Sequence, residues 1–259
     1  MSGPPGYVVS ETAVEERRPD GDTAAVRTTI DSRAGCERLE QRVIRFAPGR
    51  SRPRRLGDRQ EVLFVVSGQG AIHAAGETHR LEPLTGAYVA AGEEYEVEAA
   101  GPDELVVVSV TAPQEHDAPP LRRTVRWAEQ PSLPASPNRE FRYLVNQDVG
   151  CLDVTQFVGV IPPGRAGMHS HVYDEVVYVL EGDGVLHLDG SESRPIGRGS
   201  CIHLPPLREH SLENVGETPM RVLGVFHPSG DPASRATETN KPMTPTDVLP
   251  GVPTKGESE

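Results

Sequence analysis

The sequence predicts an all-β fold built twice. Three observations carry that reading. Short segments that alternate apolar and polar residues are bounded by Gly or Pro roughly every eight to twelve positions, the pattern of a β-sandwich or barrel. No stretch of helical period of convincing length competes with them. The chain also matches itself at an offset of about 115 residues.

In chain order the first half reads "RVIRF", "EVLFVVSG", "AIHAAG", "AYVAAG" and "ELVVVSV", and the second "TQFVGV", "EVVYVLEG", "VLHLDG", "CIHLPP" and "RVLGVF". "SRAGCERLEQRV" admits a turn or two of helix, but its end, "LEQRVIRF", alternates. The self-match aligns Gly35-Cys36 with Gly150-Cys151, Gln41 with Gln156, Val43 with Val158 and Pro48-Gly49 with Pro163-Gly164. After a one-residue slip it aligns Glu61 with Glu175, Gly68 with Gly182, Gly70 with Gly184, His73 with His187 and Gly76 with Gly190. The slip then reverses, so that Gly101 meets Gly216 and Pro113 meets Pro228. Residues 27–113 thus repeat as 142–228, with both slips falling where loops absorb insertions.

The expected organisation is a first β domain over 1–113, a Pro-rich linker over 114–139, a second β domain over 140–230 and an extended or disordered tail over 231–259. The linker carries the only tryptophan, Trp127, and its "LRRTVRW" offers a strand. Twenty-six basic against 38 acidic side chains give a net charge of −12, the wrong sign for a nucleic-acid footprint. No apolar run approaches the ~20 residues of a membrane span, and the first residues show no signal-peptide core, so a cytoplasmic protein is expected. Cys36, Cys151 and Cys201 are too few and too far apart for a disulfide framework or a CxxC zinc site.

The chemistry concentrates in "HSHVYDE", residues 169–175. His169 and His171, two apart, share one side of an extended strand. A turn at Val172–Asp174 brings Glu175 back beside them, and His210 follows one hairpin later, past Pro205-Pro206. Three imidazoles and a carboxylate suit a divalent first-row metal with positions open for water or substrate.

This arrangement resembles the cupin superfamily. The first cupin motif is matched by His169, His171, Glu175 and Gly182, although Gly164 precedes His169 by four intervening residues where the motif has five. The second is matched by Gly199, Pro205, His210 and Asn214, with Leu207 where the motif has glycine. The resemblance covers both repeats and implies two tandem cupin barrels, each a double-stranded β-helix or jelly roll. It places one divalent metal on His169, His171, Glu175 and His210: Fe(II) first, with Mn, Zn, Ni or Co as the alternatives.

In the first copy Arg55, Gly57 and Tyr95 replace the histidines and Glu61 alone survives, so that barrel is expected to be a metal-free scaffold in which Arg55 and Glu61 form an ion pair or are solvated. Tyr173, in the ligand turn, is a candidate for proton transfer or substrate gating, and His203 a candidate to line the pocket. His73 and His187 read as repeat architecture, and the three thiols as buried apolar groups. The Gly-x-Gly pairs at 68/70 and 182/184 read as hairpin turns, not a phosphate cradle.

The resemblance implies a small-molecule substrate, with an Fe(II) dioxygenase as the favoured reading. The alternatives are a non-redox isomerase, lyase or hydrolase, or a non-catalytic binder. Bicupin ureidoglycine aminohydrolases are similar in length and layout, but their ligand pattern does not map residue by residue onto "HSHVYDE". Cupin barrels often associate through sheet edges, which implies a homodimer, and neither nucleic acid nor membrane is an expected partner.

Overall fold

Every alternating segment of the sequence forms a strand, and all strand pairs are antiparallel in the computed structural model, which describes residues 7–234. Helical structure among the described residues is confined to four single turns of 3-10 helix. The stretch around "SRAG" supplies one of them, Ser32–Ala34. Gly35 ends it at φ 78°, as Gly150 ends its counterpart Gln147–Val149 at φ 87°, so the repeated glycine meets a left-handed backbone in both copies.

Each half folds as two facing sheets. In the first half a six-stranded sheet runs in the order Thr124–Arg126, Thr85–Val89, Arg59–Ser67, Leu105–Pro113, Glu40–Phe46, Ala24–Ile30. It faces a smaller sheet built on Glu94–Ala99, Gly70–Ala74 and Glu77–Leu81. In the second half a seven-stranded sheet runs Tyr7–Ser10, Ser200–Leu204, Asp174–Glu181, Met220–His227, Thr155–Ile161, Arg139–Val145, Leu133–Ser136. Its partner runs Gly164–Arg165, His210–Asn214, Gly184–Leu188, Glu192–Ile196.

Alternation along the large sheets sorts side chains into two kinds of core. Leu63, Val65, Val107 and Ile44 point into the first barrel, and Val177, Val179, Ile202 and Val222 into the second. Their neighbours Val62, Phe64, Val108, Val176, Tyr178 and Leu223 point the other way and form one apolar layer shared by both barrels. The large sheets therefore pack on each other, and their central strands are buried on both faces. That is why "EVLFVVSG" and "ELVVVSV" read as almost continuous apolar runs. Phe64 is fully buried in this layer, where truncation to Ala would cost about 3–5 kcal/mol.

The two halves also exchange strands. Tyr7–Ser10, from the span read as the first domain, pairs with Ser200–Leu204 of the second barrel. Thr124–Arg126, from the span read as linker, pairs with Thr85–Val89 of the first. Each covers a sheet edge that would otherwise present unpaired backbone groups. A second strand of the linker span, Leu133–Ser136, joins the second barrel, and Trp127 is held under the guanidinium groups of Arg142 and Arg221, 4.3 and 5.2 Å from its ring centre. Of the expected 231–259 tail, residues 235–259 lie outside the described residues. Among those described, no helix is long and apolar enough to cross a membrane.

Candidate metal centre

The four residues expected as ligands arrive from three directions at one end of the second barrel. Gly164–Arg165 pairs with His210–Asn214, and beyond it His169 makes a single bridge to His210, with N–H to O distances of 3.0 and 2.8 Å. The chain then turns through Val172 and Tyr173 into Asp174–Glu181. Glu175 has the same parity as Val177 and Val179, so its carboxylate faces the barrel interior.

The donor nitrogens of His169, His171 and His210 lie within 4.8 Å of one another. The Oε2 of Glu175 is 4.0 Å from Nε2 of His171 and 3.9 Å from Nε2 of His210. His171, Glu175 and His210 are buried, while His169 is half-buried at the rim. Two tautomers are set by the backbone. The Nδ1 of His169 is 3.1 Å from the Gly167 carbonyl, and the Nδ1 of His210 is 2.9 Å from the Arg208 carbonyl. A carbonyl only accepts, so each Nδ1 carries the proton and each Nε2 keeps its lone pair for a cation. This donor set fits a divalent first-row metal.

These side chains line the floor of a cavity of about 90 Å³, well below the ~300–1,000 Å³ of pockets that take drug-sized ligands. Phe141, Phe157 and Phe226 form its apolar wall, and Arg139 supplies a cation. One Nη of Arg139 donates to the Leu212 carbonyl at 2.7 Å, fixing the guanidinium against the sheet. Sequence reading missed Arg139 because it falls at the edge of the linker span. The signal lies just outside the matched repeat, at the same 115-residue offset. Counted back 115 residues, its counterpart is Ala24, a buried residue of the first barrel's interior, so an arginine there marks a departure from plain core.

Neither Tyr173, the candidate for proton transfer or gating, nor His203, the candidate to line the pocket, is among the residues that line this cavity. Tyr173 stacks on His171 at 5.3 Å between ring centres, but its hydroxyl donates away from the cavity to the Asp231 carbonyl at 2.8 Å. Burial pushes its pKa above the usual phenol range, with Asp231 and Glu175 adding to that. Its ring supports the His171 imidazole, and Tyr173 is not among the residues that line the cavity. His203 alternates with Ile202 and Leu204, both in the second barrel's interior, so its ring points out of that barrel into the layer between the two, 3.0 Å from Asp174 Oδ1.

In the first barrel Glu61 is equally buried but holds no partner imidazoles. Its carboxylate accepts from the Tyr95 hydroxyl at 2.5 Å and from the Ser109 hydroxyl. Arg55 is exposed on a short edge strand, the solvated one of the two outcomes expected for it, and forms no ion pair with the buried Glu61. His73 and His187 make the same pair of contacts in both copies, to Thr78 and Glu98 and to Ser193 and Glu213, which is architecture. The three thiols are buried; burial pushes Cys36, Cys151 and Cys201 up to about 12.

Comparison with known proteins gives the same picture twice over. A family model described as "Cupin domain" matches residues 42–111 and again 157–226. The oxalate-binding protein of Thermotoga maritima is 37% identical over 68 residues, 26% of this chain and 55% of that protein. The match spans about half the length of the curated relatives found. Among solved structures, protein Ylba from E. coli superposes with a TM-score of 0.74 at 13% identity, covering 88% of this chain and 92% of that one. A variant of Bacillus subtilis oxalate decarboxylase OxdC superposes with a TM-score of 0.70 at 14% identity, covering 86% and 78%.

Proposed function

The chain belongs to the cupin domain family, and from that premise we propose that its second barrel is a metal-dependent site for a small carboxylic acid. One divalent cation is held there by His169, His171, Glu175 and His210, and the acid lies beside it with a carboxylate facing Arg139. The observation that carries this reading is the convergence of three imidazoles and a buried carboxylate on the floor of a cavity whose wall includes Arg139. A bound cation supplies a Lewis acid for the substrate's oxygens or, if it is Fe(II), a centre for oxygen chemistry.

The chain's own residues do the rest. Arg139 orients the anion through a planar fork that matches a carboxylate. The phenylalanine wall excludes water, which strengthens each charge interaction in the cavity. Tyr173 holds the His171 ring by stacking. The oxalate in the names of a relative and of a structural neighbour supports a small dianion as substrate class. Dioxygenase chemistry and redox-neutral cleavage share this site description, and the experiment separates them.

Protein purified without oxygen is analysed for metal beside His210→Ala, then offered oxalate while O₂ uptake and CO₂ release are followed. Near-stoichiometric metal that falls in His210→Ala is the expected result. O₂ consumed selects oxygen chemistry; for oxalate this balances as two CO₂ and one H₂O₂, whereas a dioxygenase would place both oxygen atoms of O₂ in the product. Turnover without O₂ selects a lyase, isomerase or hydrolase. Binding without turnover selects a carrier. Equal metal in both proteins, or none after reconstitution, overturns the site.

A further inference from the structure

We propose that the layer between the two barrels holds a second divalent metal, bound by Cys36 of the first barrel and by Asp174 and His203 of the second, with His227 as the fourth donor. The donor atoms of Cys36, Asp174 and His203 lie within 4.8 Å of one another, and His203 Nε2 is 3.0 Å from Asp174 Oδ1. A tetrahedral zinc with ~2.0–2.3 Å bonds sets its donors roughly 3.3–3.6 Å apart, so small side-chain movements suffice. His227 is the direct cross-strand partner of Asp174 and therefore shares its face of the sheet.

Burial makes the cluster hard to explain as ordinary core. Cys36, His203 and His227 are 1%, 0% and 3% exposed. Nδ1 of His203 and both ring nitrogens of His227 have no hydrogen-bond partner among the described residues. An unpaired buried polar atom is costly, and these three belong to residues on the same face of the sheet as Asp174.

The internal repeat supplies the control. Related by the same offsets, the mirror position holds Cys151, Gln60, Tyr88 and Ala112. There the Cys151 thiol donates to Gln60 Oε1 at 3.2 Å, and nothing else in the set ligates a metal readily. One copy is thus a hydrogen-bonded core contact. The other has exchanged Gln, Tyr and Ala for Asp, His and His around the same thiol. That change supplies the thiolate, imidazole and carboxylate donors of a closed structural zinc site. Without a cation the Cys36 thiol stays protonated, since burial raises it to about 12; a bound cation would release that proton to solvent. None of Cys36, Asp174, His203 and His227 lines the cavity of the first site, so the role that fits this cluster is to clamp the barrels together.

The test is a cobalt titration of the full-length protein under reducing conditions, with the thiolate-to-cobalt absorption in the near ultraviolet as readout. Wild type is expected to bind two equivalents, one of which brings that band. Cys36→Ala should lose the band and one equivalent; Cys151→Ala and His210→Ala should keep the band. Should Cys36→Ala fail to fold, His203→Gln serves in its place. No band at saturating cobalt, a band that follows Cys151, or an unchanged stoichiometry in Cys36→Ala overturns the proposal. Loss of metal in His210→Ala is read separately, so failure at one site leaves the other standing.

Discussion

Asp174 and Glu175 are consecutive, yet their carboxylates serve opposite faces of one strand. Glu175 turns into the second barrel, 3.9 Å from His210 Nε2, and Asp174 turns into the layer between barrels, 3.0 Å from His203 Nε2. The next strand repeats the arrangement: Phe226 walls the cavity and His227 faces the layer. A sheet buried on both faces gives every residue an interior, so ionisable groups on either side demand an explanation.

Arg139 separates ligand recognition from metal binding. Arg139→Met should weaken oxalate binding about 10- to 100-fold, the value of a charge-assisted contact of ~1.5–3 kcal/mol, while leaving metal content unchanged. Losing its bond to the Leu212 carbonyl should cost about 1 kcal/mol of stability besides. Calorimetric titration and elemental analysis of the same sample read both. Metal lost together with the ligand would show that Arg139 supports the ligand cluster and not the substrate.

The quartet at 169–210 was legible because its spacing is local and its strands are bounded by clear turns. His203 was not placed, because "CIHL" is apolar on both sides and parity has no sequence signature in a doubly buried strand. The strand exchange was equally hidden. Tyr7–Ser10 is four residues long, and its pairing with Ser200–Leu204 is decided by tertiary contacts and not by its own pattern. Arg139 was missed for a simpler reason, since its mate Ala24 lies outside the matched repeat.

The first barrel should be indifferent to metal. Glu61→Gln is expected to leave metal content at the wild-type level, because Glu61 faces the Tyr95 and Ser109 hydroxyls instead of imidazoles. Stability should fall by about 1–3 kcal/mol, since the buried site was built around an acceptor of two hydrogen bonds. Denaturant unfolding and elemental analysis check this; a drop in metal would place a ligand in the wrong barrel.

His116 carries a pH dependence whose sign is fixed. Its Nδ1 is 2.5 Å from Asp153 Oδ1, and this bond raises the pKa of the imidazole above its unfolded value near 6.5. A base with a raised folded pKa adds stability that is complete below the unfolded value and is lost as pH rises through the folded one. Wild type should therefore lose more stability than His116→Gln between pH 6 and pH 8. Parallel urea midpoints for the two proteins across that window would show that the exposed imidazole contributes nothing.

Leu207 occupies the place where the second cupin motif has glycine, and its backbone shows why the motif has it. Leu207 sits at φ 62° with its side chain 63% exposed, and its N–H donates to the His171 carbonyl at 2.6 Å. A left-handed conformation costs an L-residue about 1–2 kcal/mol, while glycine adds about 0.4–1 kcal/mol of unfolded-state entropy. Leu207→Gly should therefore stabilise the protein by roughly 0.5–1 kcal/mol. The exposed leucine side chain takes little packing with it when removed. Because the same turn anchors the His171 carbonyl, the variant should keep its metal with affinity equal to or above wild type. A lower urea midpoint would mean that the leucine packs against something that offsets its strain.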